Sequence, residues 1–288
     1  MSEIKNVSVI GAGFTGKQIA ATAALHGYFV RIFDINTNIL ADAKKYINGV
    51  LKRNKKHELI KNVSYYDKIE EAVKTTDLVI EAVPENIELK KKVFSQIDST
   101  APKHTIIATN SSSIAVSKIE DSVIRKDKVL NIHFYPPIPT RPMADIMQGS
   151  KTSEETFNIG KRWIESIGCH PIVLKKEIHG FVFNRMWHAA RREALNLWAG
   201  GYADIETIDL AWKIFTGMKM GPFVLMDAIG LDTVYVVQNS YYHESGDPKD
   251  NPPEALKEMV DRGDLGMKTG KGFYMWGKTK KNNIKIFK

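Results

Sequence analysis

A histidine at the end of one apolar run and an acid twelve residues later set the chemistry that this chain could do. Val129-Leu130-Asn131-Ile132-His133-Phe134 reads as a strand that delivers His133, and Asp145 stands in a second strand-like run, Met143 to Met147. An imidazole that titrates near neutrality can take the hydroxyl proton of an alcohol, and a carboxylate against its other nitrogen fixes the tautomer and stabilises the imidazolium. The prolines of Tyr135 to Pro142 exclude a helix between the two. A bend of that length can return Asp145 beside His133. On spacing alone, His133 could equally be a strand-end histidine satisfied by backbone.

Proton removal becomes alcohol oxidation only beside a hydride acceptor, and the start of the chain has the residues to hold one. Val7 to Ile10 leads into Gly11-Ala12-Gly13-Phe14-Thr15-Gly16 and then an alanine-rich run, Lys17 to Ala24. This is a strand, a phosphate-binding turn and a helix. Gly11 permits the tight turn, Gly13 lets backbone approach a pyrophosphate, Gly16 lets helix pack on strand, and the helix N-terminus supplies partial positive charge. Tyr28 to Phe33 reads as the next strand and closes at Asp34, eighteen residues past Gly16, the offset of a carboxylate that accepts hydrogen bonds from a ribose diol. A carboxylate there repels a 2′-phosphate, and Ile35 and Asn36 supply no arginine to offset it. The cofactor expected is NAD rather than NADP.

These residues need a sheet to carry them. Residues 38 to 55 bear apolar positions at helical spacing, Asn62 to Tyr66 is β-type, Ile69 to Val73 makes a short helix, and Asp77 to Pro84 is apolar enough for a central parallel strand. A helix from Asn86 to Ser99 and a strand from Thr105 to Thr109 continue the alternation. The class is α/β: a Rossmann-type doubly wound sheet, in which ligands sit beyond the carboxyl ends of the strands. Glu85, Asn110 to Ser113 and His133 are thereby candidates for one crevice. A helix over Ser153 to Ile167 and a strand over Pro171 to Leu174 follow. Beyond about Ile178 everything reads as helix, with Asp204 as an N-cap and Pro222 opening another helix. The expected domains are 1–178, binding NAD, and 179–288, an all-α C-terminal domain for substrate and dimerisation.

A chain of 288 residues with 43% hydrophobic and 26% charged residues is long enough for two such cores. It lacks a run of roughly 18 apolar residues and a signal-peptide pattern, so a cytoplasmic location and no membrane partner are expected. The lone Cys169 excludes an internal disulfide and, by itself, a metal site. The net charge of +8 is spread along the chain, with clusters at Lys52, Arg53, Lys55 and Lys56 and at Lys278, Lys280 and Lys281. No nucleic-acid partner is expected, because a dinucleotide and an anionic substrate give positive charge a simpler use.

The glycine turn, Glu81-Ala82-Val83-Pro84-Glu85-Asn86, Thr109-Asn110-Ser111-Ser112-Ser113, His133-Phe134-Tyr135-Pro136-Pro137, Gly180-Phe181-Val182-Phe183-Asn184-Arg185, Met220-Gly221-Pro222-Phe223 and Lys268 to Tyr274 together resemble the 3-hydroxyacyl-CoA dehydrogenase family, in the family's order and over nearly the whole chain. The resemblance implies His133 as catalytic base, Asp145 as its acidic partner, Ser112 as a hydrogen-bonding group near the substrate oxygen and Asn184 as a second polar group. It implies Glu85 and Lys90 near the ribose and nicotinamide end of NAD, Lys268 as a further cofactor contact, a 3-hydroxyacyl-CoA substrate and a homodimer built through C-terminal apolar faces that include Met218, Phe223, Leu225, Met226 and Leu231. On bare sequence, Lys90 and Lys268 read as solvated surface lysines.

The chain departs from the family in three places. The family usually has Glu where this chain has Asp145, a loss of roughly 1.5 Å of reach, so the carboxylate must sit closer or a water must bridge. Pro136 replaces a usual Asn and brings no amide. The segment between Ile60 and Tyr66 is compact, without the helical extension that helps hold coenzyme A in relatives. Relatives without that extension include dehydrogenases of free hydroxy acids, such as carnitine or sugar acids, and Arg141 could meet a free carboxylate. A dinucleotide-binding relative without catalysis is the third alternative.

Overall fold

The computed structural model describes residues 4–278 and 284–287; Lys280 and Lys281 lie outside the described residues. The chain divides into two compact units, Met1–Val182 and Phe183–Lys288.

The first unit is built on a sheet of β1 (Asn6–Ile10), β2 (Phe29–Phe33), β3 (Val63–Tyr66), β4 (Leu78–Glu81), β5 (Ile106–Thr109), β6 (Val129–Phe134), β7 (Met143–Gln148) and β8 (His170–Val173), in the order β3-β2-β1-β4-β5-β6-β7-β8. Pairing is parallel from β3 to β6, β7 runs antiparallel to β6, and β8 is parallel to β7. The chain reverses its direction of travel through the sheet between β1 and β4. The crevice past their carboxyl ends is therefore the switch point at which such sheets take ligands.

Burial on both faces explains the near-continuous apolar strands, and their alternation sorts side chains into two layers. Val7, Val9, Ile80, Ala108, Leu130 and Ile132 pack with α1 (Gly16–Leu25), α2 (Thr37–Arg53) and, further along the chain, α5 (Glu154–Ser166). Ile10, Val79, Ile107 and Val129 face the other way, against α3 (Ile69–Val73) and α4 (Ile87–Thr100). Helix starts follow local chemistry: Asn36, Asn86 and Ser153 accept backbone N–H groups at the heads of α2, α4 and α5. Cys169 is buried, and burial pushes its thiol up to about 11.

The second unit holds α6 (Phe183–Ala199), α7 (Ile205–Thr216), α8 (Pro222–Ile229), α9 (Leu231–Ser245) and α10 (Glu254–Asp261), followed by an antiparallel pair, β9 (Met275–Lys278) and β10 (Ile284–Phe287). Helical periodicity gave no sign of that pair. Two buried aspartates organise this unit. Asp209 accepts the N–H groups of Phe223 (2.8 Å) and Val224 (3.1 Å) at the start of α8 and the Tyr274 hydroxyl (2.9 Å). Asp227 accepts the N–H groups of Phe273 and Tyr274, both at 2.9 Å, and the Trp276 indole at 2.8 Å. A Cβ on Gly221 would lie 2.3 Å from Asp209 Cγ, and one on Gly272 2.1 Å from Asp227 Oδ1. The Met-Gly-Pro-Phe and Gly-Lys-Gly-Phe-Tyr stretches are thus shaped by close approach of backbone to these carboxylates.

The core of this unit corrects one sequence expectation. Phe223, Met226 and Leu231 are fully buried among Leu195, Val234 and Leu256, so they fill their own unit rather than an interface. Exposed apolar residues of this unit include Leu210, Ile214, Phe215 and Met218, on and just after α7, and Met186 and Val236 on α6 and α9. Among the described residues, no helix is long and apolar enough to cross a membrane.

Candidate active site

A cleft of about 1000 Å³ lies at the switch point of the first unit, and it gathers Gly11, Gly13, Phe14, Thr15, Asp34, Glu85, Lys90, Ser112 and His133 into one wall system. The glycine turn is fixed by contact. Gly11 has φ +105°, and a Cβ there would lie 2.6 Å from the Ala82 carbonyl oxygen; a Cβ on Gly16 would lie 1.8 Å from the Gly11 carbonyl oxygen. Gly13, by contrast, has nothing within 4 Å of its Cβ position, so its backbone is open to the cleft. The head of α1 carries no side-chain cap and no acid in its first turn. Its N–H groups therefore suit a phosphate, and the turn fits a dinucleotide on its own geometry.

Asp34, just past β2, lines the same cleft. Its Oδ2 accepts the Ala12 N–H and its Oδ1 the Asn36 N–H, both at 2.9 Å. The carboxylate thus braces the turn and still has lone pairs for a diol.

Glu85 and Lys90 line the same cleft and belong to an ionic network that sequence did not reveal. Lys90, on α4, is 1% exposed, not the surface lysine of the bare sequence. Its ammonium meets Glu81 Oε1 at 2.7 Å, Glu85 Oε2 at 3.3 Å and the Val83 carbonyl at 3.3 Å. Glu81 is fully buried at the end of β4 and also accepts the Thr109 hydroxyl (2.7 Å) and the Val83 N–H (2.8 Å). Burial pushes the Glu81 carboxyl up, and Lys90 offsets only part of that. Burial pushes Glu85 up as well, but there the Lys90 ammonium and the Ser111 and Ser113 hydrogen bonds prevail and hold it at about 2. Glu85 Oε1 accepts from Ser111 Oγ, Ser112 N (3.2 Å), Ser113 N (2.9 Å) and Ser113 Oγ (2.8 Å). This one carboxylate thereby shapes the serine turn that presents Ser112 to the cleft.

His133 and Asp145 are direct cross-strand partners in the antiparallel β6–β7 pair, so their side chains share a face. Both are buried, with Nδ1 3.5 Å from Asp145 Oδ2. That separation exceeds a hydrogen bond, and Nδ1 has no hydrogen-bond partner. The short reach of aspartate shows in this gap. The carboxylate is taken instead by the Tyr135 hydroxyl, which donates to the same Oδ2. Tyr135 meets the imidazole edge to face at a centroid distance of 4.7 Å, and Phe181 covers it at 4.9 Å. Because Nδ1 is enclosed while the ring lines the cleft, Nε2 is the nitrogen left for a ligand. Tyr135 was not singled out from sequence, although it falls two residues after His133 and so on the same side of an extended chain.

Pro136 lines the cleft beside His133. The Arg141 guanidinium folds back to donate to the Pro136 carbonyl at 2.9 Å. Asn184 and Lys268 belong to the second unit: Asn184 sits in the first turn of α6, and Lys268 is clasped by both oxygens of Asp232 at 2.5 Å.

Two family models match end to end: "3-hydroxyacyl-CoA dehydrogenase, NAD binding domain" over residues 6–178 and "3-hydroxyacyl-CoA dehydrogenase, C-terminal domain" over 180–276. The chain is 34% identical to the mitochondrial hydroxyacyl-coenzyme A dehydrogenase of Homo sapiens, over 95% of this chain and 91% of that one. It is 36% identical to the 3-hydroxybutyryl-CoA dehydrogenase of Clostridioides difficile, over 94% and 99%. Among solved structures, (S)-3-hydroxybutyryl-CoA dehydrogenase from Ralstonia eutropha superposes with a TM-score of 0.86 at 33% identity, covering 96% of this chain and all of that one. Together with the cleft, these likenesses over both halves place the chain in the 3-hydroxyacyl-CoA dehydrogenase family.

Proposed function

We propose that this protein is an NAD-dependent dehydrogenase that oxidises a 3-hydroxyacyl-CoA, such as 3-hydroxybutyryl-CoA, to the 3-oxoacyl-CoA. The observation that carries the reading is the pairing of His133 with Asp145 on the wall of the cleft that the glycine turn opens. When bound, NAD supplies the hydride acceptor. The protein's part is to remove the hydroxyl proton. His133 Nε2 takes it, and the negative charge of Asp145, buried on the other side of the ring, stabilises the imidazolium that results. Ser112, held toward the cleft by Glu85, donates a hydrogen bond to the substrate oxygen and orients it for that transfer. Aromatic cover from Tyr135 and Phe181 lowers the local dielectric, which strengthens the His133–Asp145 attraction.

The test is a spectrophotometric assay of NADH formation with 3-hydroxybutyryl-CoA, free 3-hydroxybutyrate and carnitine. Turnover of the thioester with little or none of the free acids is the expected outcome. Turnover of a free acid alone would overturn the thioester assignment and leave the redox chemistry standing.

The protein is further proposed to work as a homodimer. Leu210, Ile214, Phe215 and Met218 are 53%, 75%, 93% and 54% exposed, and Leu210 and Ile214 share one stripe of α7 at i, i+4 spacing. Sedimentation equilibrium at micromolar concentration is expected to give about twice the chain mass of 32.5 kDa; a mass of one chain would contradict the dimer.

A further inference from the structure

The arrangement beneath His133 goes beyond a histidine and its acid. Asp145 Oδ2 is the oxygen that faces His133 Nδ1 at 3.5 Å, and it is the same oxygen that accepts the Tyr135 hydroxyl. The other oxygen, Oδ1, is buried and has no hydrogen-bond partner. A single carboxylate oxygen therefore serves two claimants, a phenol that already holds it and an imidazole that stands just out of reach.

We infer that Tyr135 is a positioning residue that sets the basicity of the His133–Asp145 pair by competing with the imidazole for Asp145 Oδ2. The proposal rests on the reading of His133 as the proton acceptor. While His133 is neutral, the phenol satisfies Oδ2 of the buried carboxylate, which would otherwise have neither oxygen hydrogen-bonded. When His133 gains a proton, Nδ1–H becomes a second, charged donor to an oxygen already occupied. The phenol thus stabilises the state before proton transfer more than the state after it. It keeps the imidazole from binding a proton too early, and the alcohol finds a base that is still free.

Sign and size follow from this competition. Loss of the phenol leaves the pair holding one proton more tightly, whether that proton is on the imidazole or on the carboxyl. The other groups that face the pair do not replace the phenol. Ile172 is the neighbour of Asp145 on β8, Phe181 supplies an apolar ring, and Glu85, which lines the same cleft, is held by Lys90. A hydrogen bond to a charged group is modest in net terms, so the pair's proton affinity is expected to rise by about 0.5–1 pH unit.

The test compares Tyr135→Phe with wild type by two independent readouts. The first is NMR titration of the His133 ring in 13C-histidine-labelled protein without cofactor, assigned by the signal missing in His133→Gln. An upward shift of about 0.5–1 unit in the variant is expected. That shift should vanish when the same substitution is made in an Asp145→Asn background, where the phenol no longer meets a charge. The second is the pH profile of kcat/KM for alcohol oxidation: its ascending limb should move up by the same amount, giving a loss of roughly 3–10-fold at pH values below it and recovery above it, with KM for NAD unchanged. An unshifted His133 titration, or a shift that persists in the Asp145→Asn background, would overturn the proposal even if the variant were less stable. Wild-type protein without dehydrogenase activity would instead count against His133 as the base, while the titration would still report on Tyr135.

Discussion

His133→Gln is expected to lower kcat for alcohol oxidation by roughly 100- to 10,000-fold, the contribution of a positioned general base. Glutamine keeps a planar polar end of similar size but cannot take a proton at neutral pH, so the loss isolates the proton-transfer step. The cofactor should be little affected, because its turn is held by Gly11, Gly16 and the Asp34 brace, none of which bonds to His133. Steady-state NADH formation and calorimetric NAD binding check the two halves of this statement. A variant with wild-type kcat would remove His133 from the chemistry, and one that had lost NAD binding would show a structural role instead.

Lys90→Met is expected to destabilise the fold by about 3–5 kcal/mol, the cost of breaking a buried ion pair by removing one partner. Glu81 is fully buried 2.7 Å from the ammonium, and Glu85 loses the same cation. The pH dependence has a definite sign. Burial already holds the Glu81 carboxyl above its ordinary range, and removal of Lys90 raises it further. The folded variant then takes up a proton there, so its deficit is smallest at acid pH and grows as pH rises through that raised value. Glu85 acts in the same direction. Its carboxyl is held at about 2, a stabilisation present above the ordinary carboxylate range and lost as pH falls toward that value, and without Lys90 part of it is forfeited. Urea unfolding of both proteins at several pH values measures this. The double change Lys90→Met with Glu81→Gln should recover part of the loss, since a neutral amide has no charge to strand. A Lys90→Met deficit below about 1 kcal/mol, or one that shrinks as pH rises, would contradict a buried network held by Lys90.

The sheet and its ligand edge were legible because their causes are local. An apolar strand, three glycines at fixed offsets and a strand-end acid can form little else, and each glycine is now accounted for by a contact or an opening. The pairing of His133 with Asp145 was legible for a related reason: a proline-rich bend of fixed length between two short strands leaves few registers. What escaped notice depends on neighbours that are distant in sequence. Lys90 sits on an amphipathic helix where lysine is usually solvated, and Glu81, Glu85 and the Val83 carbonyl, brought in by β4 and the loop after it, offset the cost of its burial. Tyr135 looked like the start of a loop, and its hydroxyl acquires a role only once β7 returns Asp145 beneath it. Phe223, Met226 and Leu231 looked surplus to one helical layer because Phe273 and Trp198, which help enclose them, lie in other segments.

Catalysis turns on one proton leaving the substrate hydroxyl for His133. The most direct measurement is the pH dependence of kcat/KM for oxidation of 3-hydroxybutyryl-CoA by the wild type and by His133→Gln. The wild type should show an ascending limb as His133 loses its proton, and the variant's residual rate should lack that limb. The same limb surviving in His133→Gln would place the base elsewhere and contradict the mechanism.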